Sequence, residues 1–218
     1  TCHRPARQVF RPMNAPSPKS SARVLHLTPV VSLRPEAQMQ LLDVRNEDSV
    51  RKAMFTDHVI SADEHRSWIA ALKKDSSRRI WALVNADDRV IGQVGLSRID
   101  PRQGTADWAF YLASSERGGL GFAVEFALLD LAFGPLGIEK LNCEVVEGNA
   151  PVLKLHSRFG FREEGMRRSQ IRKGNRRVGV HLLGMMREEW QVMRESIATA
   201  NAAMLGRFSM VIDAGSIK

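Results

Sequence analysis

Residues 116–121 read Glu116-Arg117-Gly118-Gly119-Leu120-Gly121. Twenty-eight residues after Gly121 the chain reads Asn149-Ala150-Pro151-Val152-Leu153-Lys154-Leu155-His156-Ser157-Arg158-Phe159-Gly160-Phe161. The first stretch joins a strand pattern, Ala106 to Ala113, to an apolar helix pattern through Phe122, Val124, Phe126, Leu128, Leu129 and Phe133, which Gly134-Pro135 ends. Glycines at such a turn let backbone N–H groups approach an anion, and the helix N-terminus adds a favourable field. The arrangement is a phosphate cradle, although a tight turn without a ligand uses the same residues. Two acids, Glu125 and Asp130, interrupt the apolar run.

Outward from this turn the chain alternates between periods. Val24 to Leu27 predicts a first strand. Pro35 and Glu36 open a helix through Leu41, Leu42 and Val44, with proline where its missing N–H costs little. A second helical stretch follows Asn46. Ser61 and Glu64 stand at capping-box spacing before a helix carrying Trp68, Ile69 and Leu72. Strands are predicted over Arg79 to Val84, Val90 to Ile99 and Ala106 to Ala113. After the glycine-led helix come a strand at Leu141 to Val146 and a helix at Ala150 to Phe159. A hairpin from Phe161 turns at Lys173-Gly174-Asn175 and returns to Met186, and a helix runs from Glu188 to Ala203. A strand meander followed by two crossover helices predicts an α/β fold with a mixed central sheet flanked by helices.

The 218 residues suit one α/β domain with tails, or at most two small domains. The run from Phe122 to Phe133 is too short and too charged to cross a bilayer. No apolar stretch follows Arg4, Arg7 and Arg11, so no secretory signal is expected, and a cytoplasmic location with no membrane partner fits. The formal net charge is +8, and residues 1–40 hold six basic residues against one acid. Residues 1–22, rich in Pro, Ser, Arg and Ala, read as a disordered basic tail. A second cluster, Arg167, Arg168, Arg172, Lys173, Arg176 and Arg177, is either a solvated hairpin or a contact for a phosphorylated ligand. The tail's lone Phe10 offers no stacking platform, which weakens a nucleic-acid reading. Two cysteines, Cys2 and Cys143, form no paired framework, so neither a disulfide scaffold nor a metal site is expected.

The paired stretches resemble the GNAT superfamily of acetyltransferases. Its acetyl-CoA motif is Gln/Arg-x-x-Gly-x-Gly/Ala, and its later motif is Asn-x-x-Ala-x-x-Leu-Tyr-x-x-x-Gly-Phe. Gly119 and Gly121 match the first; Asn149, Leu155, Gly160 and Phe161 match the second. The resemblance covers about residues 24 to 190. It implies a GNAT domain over 23–190, followed by a C-terminal helix and tail over 191–218. It implies acetyl-CoA as acetyl donor, held by the strand end Phe110, Tyr111 and Leu112, by the turn Arg117, Gly118, Gly119, Leu120, Gly121 and Phe122, and by Asn149. Two positions depart from the pattern. Glu116 stands at the Gln/Arg position, an acid that Arg117 is placed to compensate. His156 stands where the family has a Tyr that protonates the departing CoA thiolate, and histidine donates a proton near neutral pH.

A finer resemblance lies upstream. Val44-Arg45-Asn46, then Asp63-Glu64-His65, resembles Trp-Arg-Asn and Glu-Glu-His in the N-acetyltransferases of bacterial pseudaminic acid biosynthesis. That implies a UDP-linked 4-amino sugar as acceptor, in a pathway serving flagellin glycosylation. Arg45, Asn46 and His65 would contact the acceptor, and Glu64 is a candidate base beside the candidate proton donor His156. The Arg-Asn pair is shared with enzymes that acetylate protein N-termini, so a ribosomal-protein-type N-terminal acetyltransferase is the second reading. A protein that senses acetyl-CoA or binds nucleic acid without catalysis is the third. A homodimer stays open.

Overall fold

The computed structural model describes residues 22–116 and 118–212. The tail expected over residues 1–22 lies outside the described residues up to position 21, as does the extreme C-terminus from 213.

The chain begins with β1 (Arg23–Pro29), a 3-10 turn at Val30–Ser32, α1 (Pro35–Asn46), α2 (Asp48–Ala53) and α3 (Ala62–Leu72). The meander β2 (Arg79–Asn85), β3 (Val90–Asp100) and β4 (Thr105–Leu112) follows. Then come α4 (Leu120–Phe133), β5 (Lys140–Val146), α5 (Ala150–Phe159), the hairpin β6 (Arg162–Lys173) and β7 (Arg176–Met186), α6 (Arg187–Ala200), α7 (Ala202–Leu205) and β8 (Phe208–Ile212). Among the described residues the strands form one sheet in the order β6-β7-β5-β4-β3-β2-β1-β8. The β4–β5 and β1–β8 pairs are parallel and the rest antiparallel, so the expected mixed sheet is present.

Both faces of the sheet are covered. In β2, Trp81 and Leu83 join the core under α4, while Ala82 and Val84 join the one under α1 and α3. The same alternation splits β4: Trp108 faces the α4 side and Tyr111 the α1 side. A strand with two buried faces reads as continuous apolar sequence, which is the character of Trp81 to Val84.

Helix α4 is apolar around its whole circumference because protein surrounds it; of its residues only Gly121 is not buried. The two acids that interrupt it each have a partner. Asp130 takes Arg194 Nε and Nη2 of α6 at 2.6 and 2.8 Å, with Trp190 Nε1 at 3.1 Å. Glu125 faces His156 of α5.

The stretch after residue 190 departs from the expected helix and tail. The helix ends at Ala200, a short turn of helix follows, and Phe208–Ile212 adds a strand parallel to β1, from Arg23↔Phe208 to Leu27↔Ile212. Five residues with no alternation of polar positions carry little strand signal alone. The free edge of β1 supplies the ladder that makes this segment a strand.

Candidate active site

The parallel ladder between β4 and β5 is short. It pairs Thr105 with Lys140, Ala106 with Leu141 and Asp107 with Asn142, then stops, although β4 continues to Leu112 and β5 to Val146. Beyond Asp107 the two strands diverge around a cavity of about 370 Å³, bordered by Phe110, Tyr111, Leu112, Cys143, Asn149 and His156. On its other side β4 stays paired to β3 as far as Gly92↔Leu112. One edge of the strand is thus fixed while the other faces the cleft.

The glycine turn follows Glu116, which lines this cleft. Gly118 and Gly119 have φ of 77° and 93°, left-handed values that glycine adopts without the β-carbon penalty. Gly119 caps α4 and brings no side chain to accept from the first-turn N–H groups. Leu120 and Phe122 point into the core, the latter with its ring 4.4 Å from that of Phe159, so what they offer a ligand is backbone. Glu116 is held by Arg23 of β1 through two hydrogen bonds of 2.6 and 2.8 Å.

His156 lines the same cavity and is 3% exposed. Its Nδ1 lies 2.9 Å from Glu125 Oε1, and the ring packs edge-on against Trp108, with centroids 5.1 Å apart. Nδ1 being engaged, Nε2 is the ring nitrogen left for the cleft.

A second cavity of about 330 Å³ adjoins the first, sharing Met54 and Tyr111. Arg45, His58, Glu64, His65 and Trp68 border it. Arg45 is 8% exposed. Its Nη2 donates to the carbonyl and hydroxyl of Thr56 at 3.2 and 3.1 Å, whereas Nη1 is buried without a partner. Burial pulls its pKa below the usual guanidinium value. His65 Nε2 donates to the Gln38 carbonyl at 2.9 Å, and its ring lies 5.4 Å from Trp68. Because a carbonyl only accepts, the neutral His65 ring carries its proton on Nε2 and leaves Nδ1 as an acceptor. Burial depresses its pKa more than the Gln38 bond raises it.

A family model described as an acetyltransferase (GNAT) domain matches residues 29–162. The chain belongs to the GNAT acetyltransferases. It is 32% identical to an uncharacterized prophage-derived N-acetyltransferase of Bacillus subtilis, YokL, over 166 residues that span 74% of this chain and 90% of that protein. The p20 N-acetyltransferase of Bacillus licheniformis, also uncharacterized, is 28% identical over 52% of this chain and 65% of its own length. Among solved structures, the spermidine N-acetyltransferase of Vibrio cholerae in complex with CoA and spermine superposes with a TM-score of 0.70. Its identity is 21%, with 77% of this chain and 98% of that one covered. A GCN5-related N-acetyltransferase of Brucella melitensis gives 0.68 at 20% identity, covering 89% and 86%. The fold is therefore the GNAT fold, the activity is acetyl transfer, and the donor is acetyl-CoA.

The acetyltransferase brings most of the sequence-derived residues to these two cavities, with corrections. Phe110, Tyr111, Leu112, Asn149 and His156 border the β4–β5 cleft, with the turn Gly118 to Phe122 at the head of α4. Arg117 lies outside the described residues. Glu116 also has a partner that the sequence did not point to, Arg23, 93 positions upstream. Asn46 is committed elsewhere: its Nδ2 donates to the Ile60 carbonyl and its Oδ1 accepts from the Ile60 N–H, both at 2.9 Å. Its amide braces the segment before α3 instead of pointing at an acceptor.

Glu64 is a weak choice of base. Its Oε2 accepts from the Ser61 N–H at 2.8 Å in a capping box, Oε1 meets His58 Nε2 at 3.1 Å, and the Ser61 bond holds its pKa low. The hairpin tip reaches α2, where Lys173 Nζ bonds the Lys52 carbonyl. Sequence reasoning passed over His58 and Glu125. His58 sits in a segment without periodicity, while Glu125 had a signal: an acid inside an apolar helix needs a partner.

Proposed function

We propose that this acetyltransferase modifies the free amine of a small acceptor bearing an oxyanion, and that a UDP-linked amino sugar is that acceptor. The observation that carries this reading is Arg45: a guanidinium more than nine-tenths buried, lining the acceptor-side cavity, with Nη1 unpartnered. A buried cation with an open donor is costly unless a ligand completes it, and a phosphate or carboxylate does so best. Lys173 lies close enough to feel the Arg45 charge, adding a second cation on that side. A polyamine, the substrate of the Vibrio cholerae enzyme, would bring further positive charge beside both.

Reaction needs the amine and the thioester held in line, which supplies on the order of 7–11 kcal/mol in favourable cases. In this reading β4 holds the pantetheine, its cleft-side N–H groups stabilise the carbonyl oxygen as it gains charge, and the α4 turn holds the pyrophosphate. The amine enters from the Arg45 cavity past Tyr111 and Met54, and no covalent enzyme intermediate forms.

The test is a turnover screen that follows CoA release, setting a UDP-4-amino sugar against peptides beginning with Ala or Ser and against spermidine. The expected result is turnover of the nucleotide sugar, with Arg45→Met raising its KM about tenfold or more, the loss of one charge-assisted contact. Turnover of peptide or spermidine alone would overturn the acceptor and leave the acetyl transfer intact.

A further inference from the structure

Glu125 stands in the middle of α4 with none of its surface exposed. Its Oε1 is 2.9 Å from His156 Nδ1, and its Oε2 is buried with no partner. A carboxylate is ordinarily excluded from such a place, because an unpaired buried charge is among the costliest features a fold can hold. The side chain it hydrogen-bonds, His156, also borders the β4–β5 cleft.

We propose that Glu125 and His156 hold protons as one unit, with Glu125 the positioning residue that makes His156 Nε2 the proton donor to the departing CoA thiolate. This deepens the acetyl-transfer reading and rests on acetyl-CoA lying in the β4–β5 cleft, not on the identity of the acceptor.

The physical case is the charge of the pair. With two protons between them the groups are neutral overall, either as carboxylic acid and imidazole or as carboxylate and imidazolium. With one proton the pair carries a net negative charge in an apolar surrounding. Their neighbours are the rings of Trp108 and Phe110 from β4, Phe161 after α5, and the Cys143 thiol from β5. Burial, with the Glu125 charge second, keeps that thiol protonated; Glu144 and Glu164 act on it in the same direction. Burial likewise raises the pKa of Glu125 itself, against the opposing pull of His156. A net negative pair so deeply buried is the costlier arrangement, so the proposal takes the two-proton state, in which Nε2 bears a proton facing the cleft.

The step balances. The amine nitrogen forms its bond to the carbonyl carbon, and the C–S bond breaks with its electron pair going to sulfur. Nε2 passes its proton to sulfur while Nδ1 retains or takes the proton shared with Glu125. The amine nitrogen loses one proton to water in the cleft, and that proton restores the pair. One N–H is exchanged for one S–H, and no oxidant or further reactant is needed.

The experiment uses the whole chain and measures thiol release from acetyl-CoA with water as acceptor, so its failure is separable from failure of the acceptor assignment. Wild type, Glu125→Gln, His156→Ala and the double variant are compared from pH 5.5 to 9. Glu125→Gln should lower kcat by roughly 10²-fold, the lower end of general-acid contributions, with KM for acetyl-CoA within about threefold. Its pH profile should lose the alkaline fall that loss of the shared proton causes. In the His156→Ala background the same substitution should do nothing further, because Glu125 acts only through the ring. Unchanged kcat and pH profile in Glu125→Gln, or an equal loss in both backgrounds, overturns the proposal.

If the variants fail to fold or water turnover is below detection, nitrogen-15 NMR of the wild-type histidines decides. A downfield, slowly exchanging Nδ1 proton on His156 is expected near neutral pH. A freely exchanging one overturns the proposal.

Discussion

A β-carbon placed on Gly119 would overlap the sulfur of Met204, so the C-terminal segment packs directly onto the glycine turn that begins α4. Arg207, just before β8, lies against Gly118 in the same way, its Nη2 3.2 Å from where a β-carbon would stand. The strand β8 anchors this segment to β1, and the turn is shaped from outside as well as by its own sequence.

That relationship separates the two motif glycines. Gly119→Ala faces both a left-handed φ and the Met204 overlap, and should cost on the order of 2 kcal/mol or more by urea unfolding. At Gly121 a β-carbon would make ordinary contacts of 3.6 Å with Leu155 and Phe110. Gly121→Val should fold normally yet weaken acetyl-CoA binding by calorimetry about tenfold, equivalent to 1.4 kcal/mol. Unchanged affinity would remove Gly121 from the donor site.

Arg23 and Glu116 give a second prediction. Removing Arg23 takes away the cation that bonds both oxygens of Glu116, an acid lining the β4–β5 cleft where we propose acetyl-CoA binds. Arg23→Ala should therefore weaken acetyl-CoA binding, and pairing it with Glu116→Gln should restore most of the loss. If the single variant binds as wild type at low salt, the pair serves only to join β1 to the turn.

Asp130, buried, and Arg194, half-buried, form the ion pair that ties α6 to α4. Arg194→Met strands the carboxylate with only Trp190 as donor and should destabilise the fold by roughly 3–5 kcal/mol. Asp130→Asn added to it should recover much of that in thermal melts. Equal melting of the single and double variants would contradict this account.

His65 predicts an acid-sensitive fold. Its folded pKa is depressed by burial, so the neutral ring is the native form. Above the unfolded value of about 6.5 both states are neutral and the contribution is complete. As pH falls below that value the unfolded chain takes up the proton first, and stability declines until the folded pKa is reached. Urea midpoints at pH 7.5 and 5 should drop more for wild type than for His65→Gln. Parallel drops would show that another group governs the acid limb.

The sequence alone determined the order of the main elements from β1 to α6, because each rested on local physics. The capping box at Ser61 and Glu64 fixed the start of α3, Gly134 ended α4, and glycines permitted the left-handed turn before it. The two motifs singled out Asn149 and His156, and both line the cavity that Glu116 also lines. Tertiary structure decided what depends on distant partners. Arg23 neutralises Glu116 across 93 residues, Asn46 is spent on the Ile60 backbone, and Phe208–Ile212 becomes a strand only against the edge of β1. Glu125 shows the division most clearly. Its presence in an apolar helix was legible as an acid that must find a partner. That the partner is His156, and that one carboxylate oxygen stays unpaired, follows only when α5 packs over α4.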